Sequence, residues 1–91
     1  MVTNSVHGLW RRYLLLNKAR REKIMLAAEH FENAKDILEN VRDEEQDAMD
    51  NIPENLQESD RYLKMEEAVD VLEEVIDDVD ELLESISSLT E

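Results

Sequence analysis

No cysteine occurs in the chain, which excludes a disulfide, a thiol nucleophile and a thiolate metal site. One glycine, Gly8, and one proline, Pro53, leave few places for a helix to break, and a single glycine cannot build a phosphate-cradling loop. Aromatic residues are nearly as scarce: Trp10, Tyr13, Phe31 and Tyr62 are the whole set. The apolar content is instead Leu, Ile, Val and Ala, an all-α composition. No uncharged apolar run approaches the ~20 residues that span a bilayer. The run Tyr13-Leu14-Leu15-Leu16 falls short of the ~7–15 residues of a secretory core and leads into basic residues, so a cytoplasmic protein is expected.

Basic residues are missing from most of the chain. Residues 1–23 hold six (Arg11, Arg12, Lys18, Arg20, Arg21, Lys23) against one acid, Glu22, a net of +5. Residues 24–91 hold four against 23 acids, a net of −19. Such a body repels phosphate, so no direct nucleic-acid binding is expected. A basic partner, or a nucleic-acid-binding protein held by an acidic surface, is physically easier. The plainer alternative is that the carboxylates only keep an apolar bundle soluble.

What is present is a helical repeat. Tyr62, Met65, Val69, Leu72, Ile76, Val79, Leu83 and Ile86 alternate spacings of three and four, which keeps one stripe of a helix facing a partner. Ala68, Val75, Leu82 and Leu89 form a second column beside it, and the remaining face is almost wholly acidic. An apolar face this wide suits a bundle helix covered on two sides. Residues 1–8 read as a frayed start with Ser5 a candidate cap, and 9–51 as a first helix with a kink near Asn17 or Ala19. Its stripe is Ile24, Ala27, Phe31, Ala34, Leu38, Val41, Ala48 and Ile52, interrupted by Glu45. Pro53 ends that helix, residues 52–59 form the turn, and Ser59 or Asp60 caps a second helix over 60–88.

One domain, 1–91, is therefore expected: a long antiparallel helical hairpin that dimerises into a four-helix bundle, with a three-helix monomer as the rival. Its helix–helix core is Phe31, Leu38, Val41, Met65, Val69, Leu72, Ile76, Val79, Leu83 and Ile86. A turn centred near residue 55 lets the second helix cover the first back to about residue 21. The segment before it overhangs, and Trp10, Arg11, Arg12, Tyr13, Leu14 and Leu16 there are the candidate partner-binding residues. A protein contact suits this segment better than a membrane surface, because a body at −19 is repelled by anionic lipid.

Catalytic signals are poor. His7 and His30 have no serine or cysteine to activate, and the residue three before His30 is Ala27, which breaks the Glu-x-x-His pattern of di-iron bundles. The pairs Glu29/Glu32, Glu44/Asp47, Glu67/Asp70 and Glu74/Asp77 have the spacing with which all-α nucleotide pyrophosphohydrolases hold Mg²⁺. With 24 acids in the chain, chance yields such pairs, and a metal-dependent enzyme is the minor alternative. No enzyme activity, no cofactor and no metal are expected. Asp43, Glu44, Glu45, Asp47, Asp50, Glu54 and Glu58 crowd the turn as a candidate acidic surface, since carboxylates along a rod imitate a phosphate backbone.

Residues 32–57, above all Asp43-Glu44-Glu45-Gln46-Asp47-Ala48-Met49-Asp50-Asn51-Ile52-Pro53-Glu54-Asn55-Leu56-Gln57, together with Met65-Glu66-Glu67-Ala68-Val69-Asp70, resemble small acidic helical proteins. Phages, prophages and mobile elements of Gram-positive bacteria encode that group, and the likeness spans roughly residues 30–85. It implies the cytoplasm of a bacterial host as the setting and raises inhibition of a host enzyme or defence protein as the role; no functional residue is carried over. The expected function is a non-catalytic protein-binding module, an acidic inhibitor of the DNA-mimic type. The alternative is a structural module that self-associates through the overhang.

Overall fold

The computed structural model describes residues 17–90, which form two long antiparallel helices joined by a short turn. Helix α1 spans Lys18–Asp50 and α2 spans Asp60–Thr90, with a single 3-10 turn at Glu54–Leu56 between them. This is an all-α helical hairpin.

Helix α1 begins where its apolar pattern lapses. Asn17 is extended (φ −66°, ψ 168°) and its side-chain oxygen accepts the Arg20 N–H at 2.9 Å, filling one of the orphan donors of the first turn. The helix read from residue 9 onwards thus starts, within the described residues, at Lys18, because asparagine stabilises a cap better than a helix interior. Asn17→Ala should lower stability by about 1 kcal/mol, seen as a drop of a few degrees in a circular-dichroism melt.

At the far end the Asn51 N–H still reaches the Asp47 carbonyl, and Pro53 stops propagation. The Gln57 amide donates to the Ile52 carbonyl, and the Ser59 hydroxyl oxygen accepts the Tyr62 N–H at 3.3 Å to start α2. In the last turn Ser88 and Thr90 donate their hydroxyls back to the carbonyls of Ser85 and Ser87.

The two helices meet along heptad seams. With position a at Tyr62, Val69, Ile76 and Leu83, the stripe read on α2 is the stripe that packs, and Val69 and Ile76 are its most buried members. On α1 the packed residues are Ile24, Ala28, Lys35, Leu38, Arg42, Glu45 and Met49, with Arg21 and Glu39 half-buried beside them and Ile52 just past the helix end. Ala28, Lys35, Arg42 and Met49 stand at position a, and Ile24, Phe31, Leu38 and Glu45 at d. The expected column Ala27, Ala34, Val41, Ala48 is position g, one residue earlier, and it faces away: Val41 keeps 44% of its surface exposed and Phe31, at the edge, 38%. The physical reason is side-chain length. Met49 and the aliphatic stems of Lys35 and Arg42 cover more apolar surface on α2 than alanine methyls can, while their charged ends reach water and Asp80 or Asp43.

Register follows from the Lys35–Asp80 ion pair, with the ammonium nitrogen 2.5 Å from a carboxylate oxygen. These two residues stand side by side, which places the centre of the turn between residues 57 and 58, beyond the expected 55. The last described turn of α2 consequently lies beside Met25, and residues 17–23 of α1 extend past it.

Candidate interaction surfaces

In an antiparallel pair like letters flank the seam on each side, e beside e and g beside g. The groove lined by Met25, Ala28, Glu32, Leu83, Ile86, Ser87 and Thr90 shows this directly, since Met25, Glu32 and Ser87 are all e residues. The e side is acidic: Glu32 and Glu39 on α1, Glu66, Glu73 and Asp80 on α2. The g side is apolar: Ala27, Ala34, Val41 and Ala48 on α1, Ala68, Val75, Leu82 and Leu89 on α2. The second column read on α2 therefore has a counterpart on α1, on the same side of the hairpin.

The partition of charge is sharp. Helix α1 carries ten carboxylates and α2 eleven; eighteen of these 21 fall at the adjoining positions e, b and f. Glu44 and Asp78 stand at c, Glu45 at d, and none at a or g. Each helix thus has one acidic arc and one apolar arc, and the hairpin aligns both pairs.

Lys35 is the cation set into the acidic side. Its hydrogen bond to Asp80 raises its pKa above the ordinary lysine value of 10.5, against the effect of burial, and Glu39 and Asp36 add to the rise. A raised folded-state pKa means the pairing stabilises the fold fully below about pH 10 and is lost as pH climbs through the higher value. The native hairpin should lose more stability than Lys35→Met between pH 9 and 12; equal losses in chemical denaturation would show the pair to be inconsequential.

Asp43, Glu44, Asp47, Asp50, Glu54 and Glu58 are exposed around the turn. Asp43 accepts hydrogen bonds from the Arg42 guanidinium at 3.1 Å. Glu45 does not belong with them: position d turns it half-buried toward α2, in a shallow groove with Arg61, Lys64 and Met65.

The candidate residues Trp10, Arg11, Arg12, Tyr13, Leu14 and Leu16 lie outside the described residues. Lys35 and Arg42 were missed in the sequence because a charged residue was not counted toward a packed stripe, and the g column of α1 was read as the packed stripe instead of an outward side. His30 is exposed at c. Among the described residues no three histidine, aspartate or glutamate side chains converge as a metal cage requires, and no helix is long and apolar enough to cross a membrane. Comparison with family models, with curated proteins and with solved structures returned no match.

Proposed function

We propose that this hairpin is a non-catalytic protein-binding module, an acidic decoy that occupies the nucleic-acid groove of a host protein. The observation that carries this reading is the gathering of eighteen carboxylates into contiguous e, b and f arcs along both helices. Helices of this length present those arcs as rails roughly 45 Å long. A rigid row of negative charge is what a groove built for a phosphate backbone attracts. An origin in a phage or mobile element, implied by the resemblance of residues 30–85, supports the same role.

The test is recovery of bound proteins from a Gram-positive bacterial lysate at about 50 and 300 mM NaCl, followed by competition with duplex DNA. Screening weakens charge-led contacts across this range. Nucleic-acid-binding proteins should be retained at low salt, released at high salt and displaced by DNA. Retention indifferent to both would rule out phosphate mimicry. A second reading, a self-associating assembly module, is favoured by the apolar g side of the hairpin.

A further inference from the structure

We infer that a second copy of this chain docks on the g side of the hairpin, antiparallel to the first. This rests on the apolar side and on the polarity of the rod, and needs no host target.

Between its basic ends the g side is apolar. Ala27, Ala34, Val41 and Ala48 run beside Leu89, Leu82, Val75 and Ala68, and the larger members keep roughly two-fifths of their surface exposed. It is also the one side a second acidic copy can approach. Among the described residues, Glu44 and Asp78 are its only bordering carboxylates at positions c and g, and Arg20, Lys23, Arg61 and Lys64 outnumber them. From Ala27 to Ala48 the strip is about 32 Å long at 1.5 Å per residue. Across two helices about 10 Å wide each, two copies would bury on the order of 1,200 Å² in total, at the lower bound for a stable interface.

Charge then selects the direction. The open end of the rod carries Lys18, Arg20, Arg21 and Lys23 against Glu22. The turn end carries Asp43, Glu44, Asp47, Asp50, Glu54, Glu58 and Asp60, opposed by Arg42 and Arg61. Parallel docking sets like ends together, whereas antiparallel docking sets each basic end beside an acidic turn. A two-fold axis near Ile37 and Leu38, the middle of the α1 column, places Ala27 opposite the partner's Ala48 and Ala34 opposite the partner's Val41. Residues 18–23 then lie beside residues 52–57 of the partner. Alanine at three of the four α1 positions lets the two α1 helices approach toward the lower end of the 8–10 Å range.

The absence of native cysteine permits one clean label. Asn55→Cys in the exposed turn, carrying a nitroxide, is to be measured by pulsed electron–electron resonance, with sedimentation equilibrium on the same sample. The expected result is twice the 10.7 kDa chain mass. The label-to-label distance should be about 55 Å, from 1.5 Å per residue over ~18 residues on each side of the axis. A distance near 20 Å would mean parallel docking and overturn the direction. A monomeric mass would overturn the inference. Leu82→Glu should weaken association at least ~100-fold while helicity by circular dichroism persists, because it places a charge on the face and spares the seam; a dimer unaffected by it would place the interface elsewhere. Neither readout involves a target protein, so failure here and failure of the decoy reading are distinguishable.

Discussion

Ile76→Ala is expected to destabilise the hairpin by about 2–4 kcal/mol and to lower its melting midpoint by more than about 10 °C. The effect is large because the core is one residue deep. Among the described residues only Met49, Val69 and Ile76 are buried, and Ile76 is the most enclosed at 4% exposure. A domain of this size has roughly 5–10 kcal/mol to lose, so one truncation removes a large fraction of it. Val71→Ala, on the same helix with half its surface in water, should stay within about 0.5 kcal/mol. Thermal and urea denaturation of both variants checks the pair. Equal, small losses would mean that α2 does not pack through its a positions.

Glu45→Leu should act in the opposite direction and raise stability by about 1 kcal/mol, or roughly 4–8 °C. Position d directs Glu45 toward α2, where a half-buried carboxylate interrupts an otherwise apolar column. Full burial of leucine is worth about 1.5–3 kcal/mol, and the open groove around this position reduces that to the lower figure. Removing the carboxylate leaves no buried cation behind, because Arg61 and Lys64 are exposed. Glu44→Leu, one position earlier at the exposed c column, is the control and should change stability little. A midpoint that falls in Glu45→Leu would show that the carboxylate, with Arg61 and Lys64, forms a network stronger than the apolar substitute.

These contrasts bear on what the sequence discloses. The packed face of α2 is legible at once, because positions a, d and g are all apolar from Tyr62 to Leu89 and any choice among them includes the true seam. The turn is legible from Pro53 and Ser59. On α1 the reading slips by one column: d is shared, and the alanines and Val41 at g look more hydrophobic than Lys35 and Arg42 at a. A hydropathy pattern scores the charged tip of Lys35 and not the four methylenes that lie half-buried along the seam. Asn17 shows a related difficulty. It is a plain lapse in the stripe until its side chain is seen to cap Arg20. The candidate surface was half legible: the sequence displays two acidic and two apolar arcs, but only the antiparallel direction of the hairpin decides that like arcs share a side.

The shared d column of α1 has a further consequence, for how the chain tolerates change. Ile24, Phe31 and Leu38 border the seam with α2 on one edge and the alanine-rich g column on the other. An inherited substitution at Leu38 is therefore judged twice, by the stability of the hairpin and by whatever rests on the outward edge. Drift at Lys35 is answerable to the fold alone, and drift at Ala34 to the outward edge alone. If a second copy rests on that edge, the three neighbouring rows should tolerate substitution to different degrees, and the middle row least, which a substitution scan read by both stability and association would check.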